Sequence, residues 1–310
     1  MKSFKIILIV VVVSAIAFFI IRSLVLIDRT RSIPLPKNQF TERIRKEIDS
    51  IGRFPENKFC KDDYNNINYL INDYYKPNPP KYPYGRLGNT QTENDQWKTN
   101  LESNLYSTYA EKFINQSFYV FRGSEWKLED IRFIRSEYQS LRTSSLLQRG
   151  SPVDKKFTEI QTILSKYDEI ISFISVCMGF SYSSSSLSDH FPIEVVKVKI
   201  SQAKGYLNNH SENDYVNHCN RLQDGIKNIP QVLFRVHVRY IDDKISQWSG
   251  LYSNYNSHRD YVNNLYQPLK SEIETLNDET YHVANLDSEQ KRLSNRWSVD
   301  NTNAYKYFTH

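Results

Sequence analysis

Hydrophobic residues in this 310-residue chain follow two regimes. An unbroken apolar run near the start gives way to polar sequence in which apolar residues recur at three- and four-residue steps. The run IILIVVVVSAIAFFII, residues 6–21, holds one hydroxyl, Ser14, and no charge; Lys5 precedes it and Arg22 follows it. With the SLVLI continuation to Ile27 it reaches the ~20 residues a helix needs to cross a hydrocarbon core. The small pair Ala15 and Ala17 lies inside the run and is followed by FFII, so signal-peptide cleavage there is disfavoured. Cys60, the first cysteine, is too distant for lipid attachment behind the run. The reading is an uncleaved N-terminal transmembrane anchor over residues 1–27, with the lipid bilayer as partner through residues 6–27.

Sidedness is a contest between two arguments. Lys2 and Lys5 on one flank are outnumbered by Arg22, Arg29, Arg31 and Lys37 on the other, which by charge alone keeps the body cytoplasmic. Two lysines before an apolar stretch are, however, how a secretory signal begins, and a long domain translocates largely regardless of charge. The expectation is a single-pass protein with an extracytoplasmic body.

Past the anchor, residues 28–38 carry Pro34 and Pro36 without periodicity and read as a stalk. A helical domain follows over residues 39–180. Its first helix has Thr41 as expected N-cap and Ile44, Ile48 and Ile51 on one face; a second begins near Asp62 with Ile67, Leu70, Ile71 and Tyr74 inward. The stretch KPNPPKYPYGRLGNT, residues 76–90, has four prolines and two glycines and predicts a long loop. Pro80 to Pro83 matches P-x-x-P in form, but a rigid loop with Tyr82 and Tyr84 packed down is the plainer reading.

Four capping patterns announce helices: Thr92/Asp95, Ser151/Asp154, Ser211/Asp214 and Ser257/Asp260. The first predicts a long helix through Trp97, Leu101, Leu105, Tyr109 and Phe113; FYVF at 118–121 resembles a strand but is too short to alter the class. A helix capped by Ser124 should carry Leu128, Ile131, Tyr138 and Leu141 inward. The most regular segment opens at Pro152, with Phe157, Ile160, Ile163, Leu164, Tyr167, Ile170 and Ile174 on its stripe. It stops at a serine-rich linker, residues 181–191.

A second helical segment, residues 192–310, predicts helices near 192–207, 213–227, 231–248 and 258–276, and a last turn or two at 288–296. Short links between amphipathic helices make antiparallel neighbours, so the expected body is all-α, an elongated bundle of antiparallel helices.

Composition narrows the function classes. A net charge of +5 from 40 basic and 35 acidic residues is spread along the chain and does not argue for nucleic acid. Only 9 glycines speak against phosphate-cradling loops. The 22 tyrosines and 16 phenylalanines predict an aromatic core. Cys60, Cys177 and Cys219 can make at most one bridge and form no disulfide framework, and Cys177 and Cys219 read as small buried hydrophobes.

Candidate chemistry is sparse. RVHVRYIDD, residues 235–243, gathers Arg235, His237, Arg239, Asp242 and Asp243, but helical spacing puts the arginines and aspartates on a polar face as surface ion pairs and His237 on the apolar one. His218 and Cys219 are adjacent, point to different faces and cannot jointly hold zinc. His190, His258 and His282 stand without sequence partners. Asp62-Asp63 and Glu129-Asp130 suit helix starts. Asn115-Gln116-Ser117 and Asn209-His210-Ser211 are glycosylation triplets in form only.

No catalytic, cofactor or metal residue is therefore assigned. The expectation is a membrane-anchored, non-catalytic interaction or envelope-assembly module with a protein partner. The alternative is an envelope hydrolase whose site assembles only in three dimensions, for which His237, Asp242, Glu194 and Asp189 are the first residues to examine.

Overall fold

The computed structural model describes residues 35–75, 91–182, 189–208 and 215–310. The apolar run of 6–27, the proline-rich stretch 76–90 and the Ser211/Asp214 pattern lie outside them. Among the described residues the chain is all-α, without a strand, and no helix is long and apolar enough to cross a membrane. The chain divides into two compact units, before and after the Lys112/Phe113 step.

In the first unit, α1 (Lys37–Gly52) packs on α2 (Lys61–Tyr75). Ile44, Ile48, Ile51, Ile67 and Ile71 are buried as their spacing demands. The Phe40 and Tyr74 rings stack at 3.8 Å, with Trp97 tilted against both. The helix starts four residues before the expected cap: Thr41 sits inside it, donating to Lys37 O at 2.6 Å and accepting from Trp97 Nε1 at 2.9 Å. That Trp97 bond, which sequence spacing does not reveal, engages the hydroxyl that would otherwise cap.

Helix α3 (Gln91–Arg122) runs from this unit into the next and carries FYVF as helix, with Phe118 and Phe121 buried on its apolar side. Thr92 lies within its first turn rather than ahead of it.

The second unit contains α4 (Leu128–Arg142), α5 (Pro152–Met178), α6 (Ile193–Asn208), α7 (Asn220–Lys227) and α8 (Ile229–Trp248). It continues with α9 (His258–Tyr261), a π turn (Val262–Tyr266), α10 (Gln267–Glu274), α11 (Asp278–Tyr281) and α12 (Leu286–Thr309). Ser151 caps α5, accepting from Asp154 N at 3.2 Å. Ser257 caps α9 in the same way at 3.1 Å. Ser124 caps nothing. Lys127 holds the N-cap position of α4, and the Ser124 carbonyl accepts instead from Asn220 N at 2.9 Å.

Ion pairing and hydrogen bonding of Arg135 with Asp168 (2.5 Å) and of Tyr138 with Gln161 (2.9 Å) make α4 and α5 antiparallel. Glu169 with Tyr206 (2.6 Å) and Lys199 over the Phe180 ring do the same for α5 and α6. Helices α8 and α12 depart from the expected pattern. Gln231 meets Asn285, Asp242 meets Arg292 and Arg296, and Ser249 meets Asp300, so these two run parallel. The intervening α9 to α11 segments return the chain to the start of α8.

The expected single helix over 258–276 is interrupted because Pro268 has no N–H to give to the Asn264 carbonyl; the π turn before it accommodates the missing bond. The expected helix at 213–227 breaks before Asn220, with a short 3₁₀ turn at Tyr215–His218. The expected last turn or two is instead the 24-residue α12.

Stretches on both sides of 181–191 pack together within this unit: α5 lies against α8.

Candidate functional site

A set of buried polar groups in the second unit surrounds residues 189–192, the short strap leading into α6. Lys244, Glu272 and His237 are buried, at 2 %, 9 % and 0 % exposure. Each lies on an apolar helical stripe, where an unpartnered charge would be costly.

Lys244 donates to the Asp189 carbonyl, and its ammonium sits 4.8 Å from the Tyr240 ring centre and 4.7 Å from that of Trp248. Tyr240 donates to the same carbonyl. Burial pulls the Lys244 pKa below the ordinary lysine value, against the charges of Glu272 and Asp189. Glu272 receives the Phe191 N–H at 2.9 Å and lies 3.2 Å from His190 Nδ1. Strap and helices are thus joined by hydrogen bonds to charged groups, the stronger kind.

His237 lies beneath the strap, its ring stacked on Phe191 at 3.9 Å and 3°. Nδ1 is 2.8 Å from the Tyr281 hydroxyl and Nε2 is 3.4 Å from Thr275 Oγ1. Thr275 already donates its proton to the Glu272 carbonyl at 2.5 Å, so its oxygen can only accept from His237. Nε2 therefore carries the ring proton and Tyr281 donates to Nδ1. Burial holds this neutral form, lowering the pKa from 6.5 to about 3, and pushes the Tyr281 phenol up. His237 is a satisfied core histidine, as its place on the apolar stripe implies.

No family model, curated protein or solved structure matches this chain. The site must be interpreted from its own geometry.

Of the four residues singled out from sequence, the structure brings Asp189 and His237 to the strap. Asp189 contributes its main chain to the clamp. Glu194 is solvent-facing and pairs with Lys197 at 2.7 Å. Asp242 pairs with Arg292 at 2.6 Å and Arg296 at 2.5 Å on α12, instead of with the expected Arg235 or Arg239. Burial acts to raise its pKa, but the two arginines outweigh it and hold the carboxyl below 3.8. Cross-helix guanidiniums arriving from a parallel neighbour have the better geometry, which sequence spacing within α8 does not reveal.

Two open clefts border α8. One, about 600 Å³, is lined by Phe180, Tyr182, Asp189, Val236, Arg239 and Asp243. The other, about 510 Å³, contains the Asp242–Arg292 pair, with Arg235, Arg239 and Glu289 beside it. The shifted groups of the second cleft neutralise one another. His218 and Cys219 are placed apart in character, one exposed and the other buried, and among the described residues no three His, Cys, Asp or Glu side chains are placed to hold a metal.

Lys244 and Glu272 escaped the sequence reading. The signal was present: each charge interrupts a stripe, Leu233-His237-Tyr240-Ile241-Ile245-Trp248 for the first and Leu269-Ile273-Leu276 for the second. A charge inside such a stripe calls for a partner from elsewhere in the fold.

Proposed function

We infer that this protein is a membrane-tethered, non-catalytic interaction or envelope-assembly module, held through residues 6–27 with an extracytoplasmic helical body. The observation that carries the reading is the uncharged run of residues 6–21, which with its apolar continuation to Ile27 reaches the ~20 residues that suit a bilayer and whose hydrophobicity suits no surface helix. The body supports it in a second way. Its titratable groups are used to hold elements together: the buried Lys244 and Glu272 fasten the strap, and the half-buried Asp242 fastens α12 to α8. Exposed apolar side chains near the α5 and α6 ends, Val176, Met178, Val195 and Val198, supply surface of the kind a protein partner covers.

The test is fractionation of cells expressing the full-length chain, followed by crosslinking in the intact membrane. The expected product stays in the membrane pellet through alkaline extraction, is cleaved by protease added from the extracytoplasmic side, and crosslinks to a protein. Release into the aqueous fraction overturns the anchor, and protection from that protease overturns the sidedness.

A further inference from the structure

We propose that residues 189–192 form an acid-releasable strap, in which protonation of His237 lifts Phe191 from the ring it covers and uncovers the aromatic wall of α8. The inference is independent of membrane attachment. Its basis is geometric. Phe191 lies flat on the imidazole at 3.9 Å, while both ring nitrogens are bonded to residues of α10 and α11 or the links beside them. The face under Phe191 is therefore the route by which water reaches a charged imidazolium with least disruption. Opening it also parts Phe191 from its ring contacts with Tyr182 and Tyr240.

The charges around this ring are engaged elsewhere. The strap contributes Asp189 and His190, α10 contributes Glu272, α11 contributes Tyr281, and α8 itself contributes Tyr240 and Lys244. Glu272 is bound to Phe191 N and His190, and Lys244 to the Asp189 carbonyl. Helix α12 brings Arg292 and Arg296, both paired with Asp242, and α6 brings Lys199, over the Phe180 ring. None of these anions reaches the imidazole, so a proton there meets burial alone. His190 meets Glu272 from the solvent side, its Nδ1 3.2 Å from the carboxylate. The His190 side chain is 77 % exposed and is the weaker influence.

The size of the effect follows from linkage. If the ring titrates near 6.5 when uncovered and far lower when covered, the opening constant of the strap rises about thirty-fold between roughly pH 7.5 and pH 5. Hydrogen exchange of the full-length chain reads this directly at the Phe191 and Ile193 amides, which are bonded to Glu272 and to the Phe191 carbonyl. After correction for intrinsic rates, their protection should fall about thirty-fold over that range while α5 and α8 amides keep theirs. His237→Phe should abolish the response, and Glu272→Gln, which keeps an acceptor for Phe191 N–H, should leave it in place. Loss of protection in strap and α8 together, or an acid response surviving in His237→Phe, overturns the proposal. Should His237→Phe fail to fold, an NMR titration of the wild-type His237 ring decides. A midpoint coinciding with strap release supports the proposal, and a separate midpoint overturns it.

Discussion

Replacing Asp300 by alanine should be among the most damaging single changes in the second unit. Asp300 is 3 % exposed on the buried stripe of α12. One carboxylate oxygen accepts from Ser249 Oγ at 2.9 Å and Gly250 N at 2.8 Å; the other accepts from the Tyr261 hydroxyl at 2.8 Å. It therefore ties the end of α8 and the turn after it to α9. Gly250, at φ +84°, is in the left-handed region that glycine adopts without strain. The three bonds are not equal. Ser249 and Gly250 are solvent-exposed and recover water as a partner, whereas Tyr261 is fully buried and does not. Stranding a buried hydroxyl costs about 1–3 kcal/mol, and each hydrogen bond to a charged group contributes about 1.5–3. Asp300→Ala should thus cost about 3–4 kcal/mol, and Tyr261→Phe about 1–2, because the carboxylate keeps its other two donors. Burial, followed by the hydrogen bond to Asp300, keeps the phenol protonated well above its usual range, so the bond persists across ordinary pH. Urea unfolding followed by tryptophan fluorescence reads the loss, since Trp297 lies on the same helix one turn earlier. In a double-mutant cycle the pair should couple by about 1–2 kcal/mol. A cost for Asp300→Ala below about 1 kcal/mol, or no coupling to Tyr261, would refute this account of the node.

Two further outcomes follow from the same packing. His237 has its folded pKa depressed from 6.5 to about 3, so its contribution is intact above pH 6.5 and is lost as pH falls towards 3. Thermal denaturation should show a loss of at most about 2 kcal/mol at pH 5, with Asp242 adding a loss of the same sign below 3.8; a flat profile from pH 7 to 5 would contradict it. Gly225→Ala places a Cβ 2.8 Å from Ile174 Cδ1 and should destabilise by about 1 kcal/mol. Ile174→Val, which lacks that methyl, should restore the loss in the double variant by chemical denaturation, and additive effects would show that the contact is relaxed elsewhere.

Sequence alone determined the class and most of the inward faces; Leu128, expected inward, is instead 40 % exposed at the first position of α4. Phe157, Ile160, Ile163, Leu164, Tyr167 and Ile170 are buried because a 3.6-residue period leaves them on one side of α5. Ser151 and Ser257 cap because the hydroxyl and the N–H it receives are three residues apart, a local relation needing nothing else. What tertiary structure decided was every case in which a polar side chain had a choice of partners. Thr41 is engaged by Trp97, Asp242 by two arginines of a parallel helix, and Ser124 only through its main chain by Asn220. The length of α12 was hidden for the same reason: its stripe of Leu286, Leu293, Trp297, Asp300 and Ala304 includes a carboxylate that looks out of place until Tyr261, Ser249 and Gly250 surround it. Lys244, Glu272 and His237 follow that rule as well. Helical period is written in neighbours three and four apart, whereas the partner of a buried charge or hydroxyl arrives from segments tens of residues away, and only the folded chain brings it there.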